Sequence, residues 1–453
     1  TFTTNQHHRY RRKHQLVRNL AVEMTGKPDL DGHGTTTTND QKQRRLILHF
    51  DVNETLLIED VAGGDSTEDC LNKILAKNAF IRGVLKDRND ESKKDEDKHP
   101  EMEMLWWDGT PVKRPTDVDN SSASPPSHST TPPSAPQLHT AWEWPEGCIP
   151  YYRIYRGQRA KTFTLHDGAA YRPLYDKMCK SMQIKPSSSS STSSMGTTID
   201  DRLSKDGGKT YLLLPSFFEC IYTIDKVLQR EYSIVIRTFG HDLSHVANAI
   251  RAFAEGRHPD YPDFTNESLI LDESNMYRGR WKDQDDLSSS KEEATYHLYE
   301  WNDDKVVAKN DDDILRIIEN RPISGIQDDY QFWSKHECSP RVGKPVWVRG
   351  SSVVHQEKND PIIVEDRSPH HIIFDDNIQN DPLDSIVAVR YQQSSPDHPS
   401  TFRSLSGNEI RNLHGKHLVR VPTFEPMLDK TWFLRKIACC ELSVAEGELK
   451  SIS

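Results

Sequence analysis

The chain has 453 residues, enough for two or three domains by length, but only 34% are hydrophobic and Pro and Ser are abundant. The folded part is therefore expected to be much shorter than the chain, because polar, proline-rich stretches bury too little apolar surface to offset the entropy of ordering them. A net charge of −11 argues against a protein that coats nucleic acid, which needs a basic footprint, and it requires any phosphate site to be locally positive against the overall field. Seven scattered cysteines without paired spacing point to reduced thiols and a cytoplasmic setting. No apolar run approaches the roughly 18 residues that would span a bilayer, so the reading is of a soluble protein without a membrane partner.

Residues 1–43, rich in Thr, Asn and Gly and without periodicity, are expected to form a disordered tail. Within it, residues 1–22 carry Arg9, Arg11, Arg12, Lys13 and Arg18 and no acid, which also fits the remnant of an organelle-targeting leader. A first core segment, residues 44–86, opens on Leu46-Ile47-Leu48-His49-Phe50, a short buried strand ended by Asp51 and the turn-prone Asn53. Ser66 and Asp69 make a capping box for a helix reaching about Lys77, with Cys70, Ile74 and Leu75 on one face. Residues 87–140 read as a disordered insert of charge runs followed by Ser and Pro, with Leu105-Trp106-Trp107 as a candidate anchor. Residues 141–185, rich in aromatics, are a cap or core-packing segment, and residues 186–208 a flexible polar linker.

In the second core segment, residues 209–256, Phe217, Ile221, Ile224 and Leu228 give a helical stripe after Pro215. A strand follows over 232–237 and a helix over about 242–254. Residues 257–343 are an insert expected to act as a cap, with a hairpin candidate at 296–301 and 305–308 and short helices at 312–319 and about 328–335. The last core segment, residues 344–440, holds strands at 371–374, 386–391 and 417–421 and a helix near 426–437, before a tail of residues 441–453. Strands alternating with helices predict an α/β fold with a mostly parallel sheet, helices on both faces, cap inserts and long disordered loops.

Three segments share one design, an apolar strand ending in a polar residue. They are Leu48-His49-Phe50-Asp51-Val52-Asn53-Glu54-Thr55, Ile234-Val235-Ile236-Arg237-Thr238 and Ile372-Ile373-Phe374-Asp375-Asp376-Asn377. In an open α/β sheet ligands bind outside the carboxyl ends of the strands, so adjacent strands would bring Asp51, Thr238, Asp375 and Asp376 together. Carboxylates converging on one point repel unless a cation lies between them, and hard oxygen donors suit Mg²⁺. Two carboxylates sharing one such ion should have oxygens within about 5 Å of each other.

These residues resemble the motifs of the haloacid-dehalogenase-like (HAD) superfamily. Its first motif is a strand followed by Asp-x-Asp-x-Thr, matched by Asp51-Val52-Asn53-Glu54-Thr55 except at one position. Its second is a strand ending in Ser or Thr, as at Thr238, and its fourth a strand ending in paired acids, as at Asp375-Asp376. The resemblance implies a Rossmannoid core with these three strands adjacent. It further implies a Mg²⁺-dependent phosphohydrolase or phosphotransferase acting on a small phosphorylated substrate. Asp51 would be the nucleophile that forms an aspartyl-phosphate, later hydrolysed by water. Asp51 and Asp375 would ligate Mg²⁺ directly, with the backbone carbonyl of Asn53 as a further ligand and Asp376 acting through water. Thr238 would donate to a phosphoryl oxygen, and a lysine would neutralise charge on the transferring group.

Two departures stand out. Asn53 occupies the place of the usual general acid/base, and an amide cannot transfer protons, a contribution typically worth ~10²–10⁴-fold in rate. The alternative reading is therefore a catalytically impaired protein that keeps a metal and phosphate pocket as a binding or interaction module. The family's lysine is expected near the start of a helix before the fourth-motif strand; Lys344 is the first candidate, with Lys335 and Lys358 as rivals, although the sequence after Lys344 looks extended. His241-Asp242-Leu243-Ser244-His245 imitates the zinc-protease pattern H-E-x-x-H, but no third ligand is apparent, and Asp242 reads as a helix cap or first-turn acid. Trp142, Trp144, Tyr151 and Tyr152 are candidates for a pocket lining or, more simply, for burial.

Overall fold

The computed structural model describes residues 44–59, 64–82, 104–112, 136–185, 199–282, 294–349, 356–357, 360–361, 368–379, 385–395 and 398–452. The expected tail at 1–43 with its candidate leader, the larger part of the spans 87–140 and 186–208, and the rival Lys358 lie outside the described residues.

The first half of the chain supplies β1 (Leu46–Asp51), α1 (Thr67–Asn78), β2 (Phe80–Arg82), β3 (Leu105–Trp106), β4 (Cys148–Pro150), α2 (Arg172–Ser181), α3 (Pro215–Tyr222) and β5 (Tyr232–Thr238). The second half supplies α4 (Leu243–Ala254), β6 (Met276–Lys282), β7 (Thr295–Glu300), β8 (Val306–Ala308), α5 (Asp311–Asn320), β9 (Ile323–Gln327), α6 (Tyr330–Lys335) and β10 (Lys344–Arg349). The last elements are β11 (His370–Asp375), β12 (Val387–Ser395), β13 (His398–Ser404), β14 (Leu418–Arg420) and α7 (Trp432–Ile452).

An eight-stranded sheet runs in the order β14-β11-β1-β5-β9-β6-β7-β8. Every pairing from β14 to β6 is parallel, and the last two are antiparallel. All six residues of β1 are buried, as befits a central parallel strand covered on both faces. Its Leu46, Leu48 and Phe50 enter one core while Ile47 enters the other, the two-residue period of a strand. Phe50 stacks on Phe374 of β11 at 5.1 Å and meets Phe217 of α3 and Phe433 of α7 edge-on at 5.2 and 5.3 Å. Burying each such ring contributes about 1.5–3 kcal/mol, and the cluster sets β1 against β11 just below their acidic ends.

One face of the sheet is covered by α3, α4 and α7. The other carries α5 and a separate three-stranded sheet, β10-β12-β13, where helices were expected. The reason is local. Lys344 precedes Pro345, which disfavours helical backbone at Lys344, and Val346 and Val348 favour an extended chain. Residues 257–343, expected as a cap, instead contribute β6, β7, β8 and β9 to the main sheet. Strand β9 pairs directly with β5, an arrangement that its Gly325 and flanking polar residues conceal in the sequence.

Within the spans expected to lack structure, β3 pairs with β2, burying Trp106, and Leu203 is buried in the main core. The 141–185 segment packs by its aromatics: Tyr151, Phe163 and Tyr171 are all buried in that same core. The helix expected at 426–437 is two pieces, residues 424–428 and α7. Between them Asp429 accepts hydrogen bonds from the backbone and hydroxyl of Thr431, forming a turn. Helix α7 then continues to Ile452, through the stretch expected as a tail from residue 441. Among the described residues no helix is long and apolar enough to cross a membrane.

Candidate functional site

Strand register decides what meets at the site. Phe50 lies opposite Phe374, so Asp51 and Asp375 leave adjacent parallel strands at the same level, and Asp51 is opposite Arg237, one residue before Thr238. One carboxylate oxygen from each of Asp51, Asp375 and Asp376 falls within 4.8 Å of the others, and all three residues are buried. The Lys344 ammonium bridges two of them, bonding Asp51 and reaching Asp375 Oδ2 at 2.8 Å. It arrives from the first residue of a strand, so no helix is needed to present it. Its rival Lys335 ends α6.

Gly343 makes this reach possible. A Cβ there would fall 2.0 Å from the backbone oxygen of Ile386, an impossible contact, and without it Lys344 N–H donates to that oxygen at 2.8 Å. Arg237 fastens the same segment from below. Fully buried, it forms a fork to Asp328 at 3.0 and 2.5 Å and donates to the carbonyl of Pro345 at 2.8 Å. Tyr296 adds a third bond to Asp328, at 2.6 Å.

A second charged layer lies behind Asp376. Lys77 of α1 joins Asp376 at 2.7 Å to Glu54 at 2.6 Å, and Lys73, one turn earlier, joins Glu54 to Asp65. Glu54 holds a left-handed backbone, φ 56°, in the loop after Asp51, a conformation that costs a residue with a side chain about 1 kcal/mol or more. Thr55 accepts from Asp376 N–H at 3.2 Å, while Asn377 caps both acids, its N–H on Asp375 and its amide on Asp376.

Asn53 is fully engaged. Its amide donates to the carbonyl of Glu59 at 3.2 Å and to Asp242 at 3.0 Å, and its oxygen accepts from the Thr238 hydroxyl at 3.2 Å. Asp242 takes the cap position before α4, as expected, but its side chain makes no cap bond; its carboxylate accepts from Asn53 instead. His241 is held through Nδ1 by the Gln327 amide at 2.9 Å, and the cluster of potential metal ligands found among the described residues includes neither His241 nor His245.

Electrostatics follow from the geometry. Burial, with Asp375 and Asp376 close by, pushes the Asp51 carboxyl well above the usual carboxylate range against the pull of Lys344. Asp376 is pushed up to about 6 by burial, opposed by Lys77 and assisted by Glu54 and Asp375. The upward direction at Asp51 and Asp376, despite Lys344 and Lys77, marks a deficit of positive charge among hard oxygen donors.

The cluster floors a cavity of about 1100 Å³. Its walls include Lys77, Arg153, Arg156, Arg278, Arg280 and Arg420, against Asp328 and Asp329, with Tyr152, Phe239, Tyr330 and Trp333 as apolar surface. The cavity is locally cationic in an acidic chain. Of the early aromatic candidates, Tyr151 is buried, Tyr152 lines the cavity, Trp142 stacks on His414 at 3.8 Å and Trp144 packs edge-on against Phe80.

Sequence reasoning missed Arg237 with Asp328, the Glu54–Lys73–Lys77 group and Arg420. For Lys73 and Lys77 a signal existed: two cations four residues apart share one helix face, and here Lys73 is buried and Lys77 half-buried. For the others the partners lie far apart in the chain.

Fold and site together define a mixed α/β protein with a buried carboxylate–lysine centre at the carboxyl edge of a mostly parallel sheet. A scan against protein-family models finds no match to this chain, and neither curated proteins nor solved structures provide one.

Proposed function

We propose that this chain is a Mg²⁺-dependent phosphohydrolase or phosphotransferase of the HAD-like type, acting on a small phosphorylated substrate through an aspartyl-phosphate at Asp51. The observation that carries the reading is the convergence of Asp51, Lys344, Asp375 and Asp376 at the ends of adjacent parallel strands, on the floor of a cationic cavity. The strand order β14-β11-β1-β5-β9 supports the Rossmannoid assignment.

The donor set fits the metal: three carboxylates within 4.8 Å, short of positive charge. Asp51, Asp375 and Asp376 would hold Mg²⁺, which when bound supplies charge neutralisation to the transferring phosphoryl group. Asp51 attacks phosphorus, forming the Oδ–P bond as the bond to the leaving oxygen breaks; water then cleaves the acyl-phosphate and restores the carboxylate. Lys344 orients Asp51 and stabilises charge on the phosphoryl oxygens. The Thr238 hydroxyl would exchange Asn53 for a phosphoryl oxygen. The seven free cysteines support a reducing, cytoplasmic setting.

A second reading is favoured by Asn53, whose amide provides no proton for the leaving group: a phosphate-binding module without useful turnover. Turnover of an activated aryl phosphate and of ethyl phosphate with Mg²⁺ separates the two. The catalytic reading expects aryl phosphate hydrolysis that Asp51→Asn abolishes and chelation removes. If no phosphate ester is turned over while inorganic phosphate binds with Mg²⁺, the binding reading replaces it.

A further inference from the structure

Arg420 ends the edge strand β14, in register with Asp375 one strand away, and it lines the same cavity as Asp51, Lys344 and Asp376. Its Nη2 donates to Asn78 Oδ1 at 3.1 Å. Its Nε and Nη1 are buried and meet no hydrogen-bond acceptor among the described residues. A buried guanidinium with unused donors is costly, since an unsatisfied charged donor forfeits hydration without replacement. The cost is raised further by Arg153, a second cation close enough to oppose the charge on Arg420; burial is the larger effect, and Asp376 and Glu425 compensate only in part. Arg420 and Arg153 both line the cavity, and the unused donors of Arg420 beside that second cation form an anion site in the making. An arginine fork suits carboxylate and phosphate alike.

We propose that Arg420, with Arg153 beside it, receives a second anionic group of the substrate, so that the phosphoryl donor is a bis-anionic small molecule carrying a carboxylate or a second phosphate beyond the group transferred. This rests on the phosphotransfer reading for the floor of the cavity, but the donors at Arg420 are independent of it. Adjacent strands are about 4.8 Å apart, so an anion at Arg420 and a phosphoryl group at Asp51 are a short molecule's length from each other. Arg420 thus selects substrates by what they carry away from the reacting phosphorus.

The test is equilibrium binding of non-hydrolysable probes to the full chain with Mg²⁺: ethylphosphonate, 3-phosphonopropanoate and ethylene bisphosphonate. At least one bis-anionic probe is expected to bind tenfold or more tighter than ethylphosphonate, and which one does so identifies the second group. In Arg420→Gln that gap should shrink below about threefold, and in Arg420→Lys, which keeps the charge but loses the fork, it should fall in between. Removing a buried charge with two unused donors should leave the melting temperature equal or higher, whereas a purely structural arginine would lower it. Equal affinities for all probes in the wild type, or a gap that survives Arg420→Gln, overturns the proposal. Failure of the phosphotransfer reading looks different: the gap persists and depends on Arg420, yet no phosphate ester is turned over.

Discussion

In the proposed reaction Asn53 would sit where proton transfer is needed, and its amide lies 3.0 Å from the Asp242 carboxylate. Replacing it by aspartate would set one carboxylate against another, and such a pair shares a proton rather than ionising fully. Asn53→Asp is therefore expected to install an acid at neutral pH beside the leaving group. Turnover of ethyl phosphate should rise on the order of 10²-fold, and that of an activated aryl phosphate far less, because its oxygen departs without protonation. Steady-state rates on the two esters check this. An equal rise for both, or none for either, would mean that the protonation step is not what Asn53 limits.

At the scale of elements, the site depends on how closely β10 approaches the segment before β12. Gly343 allows that contact, and a methyl group there would collide with a backbone oxygen that cannot swing aside. Gly343→Ala should force β10 outward and move the Lys344 ammonium off Asp51 and Asp375. Overpacking of this kind costs about 1–3 kcal/mol. The loss in activity should be larger than that: kcat/KM down by roughly 10²-fold, close to the effect of Lys344→Met, at a temperature where both variants remain folded. Kinetics and thermal melts on both variants decide it; a Gly343→Ala protein of normal activity would show that Lys344 is placed by something else. The strand itself was only partly legible. Pro345, Val346 and Val348 announce an extended chain, but its pairing with β12, some 40 residues on, is a long-range choice invisible in the local pattern.

Two titrations of opposite sign act on the whole molecule. His258 and His370 are buried and His417 is half-buried, and their removal from water lowers them to about 4, 3 and 4. The unfolded chain protonates these rings from about pH 6.5 downward while the folded chain does not, so they favour the fold above 6.5 and lose that contribution as pH falls toward 4. The slope approaches about 1.4 kcal/mol per pH unit for each ring. Depressed acids such as Glu54 and Asp65 contribute above about pH 4.5 and fail only below it, so acid destabilisation should begin well before the carboxylates titrate. A melting temperature that stays flat from pH 7 to pH 5 with Mg²⁺ present would contradict this. Asp51 and Asp376 run the other way: their raised values mean that the metal-free fold gains from protonation as pH falls. Mg²⁺ held there as proposed would compete with those protons. It should raise the melting temperature more at pH 8 than at pH 5, which thermal melts with and without the ion will measure; a pH-independent increment would place the ion elsewhere.

Asp51, Thr238, Asp375 and Asp376 are readable from the sequence alone because each closes a short apolar run, and a buried strand that ends in a polar residue is a local pattern. The capping box of α1, the stripe of α3 and the strands β1, β5 and β11 are local in the same sense. Lys344 is singled out in the sequence by position alone, without a helix to present it, and its contact with both acids depends on Gly343, where two backbones touch. The Arg237–Asp328 fork, the ion pairs of Glu54 and the Arg420–Asn78 bond join residues 19 to 342 positions apart, and the unused donors of Arg420 meet no acceptor among the described residues. Burial periodicity is written in neighbouring side chains, so the sequence determines which strands end in acids. Charge pairing depends on which chain ends the folded sheet sets side by side, and that only the tertiary structure decides.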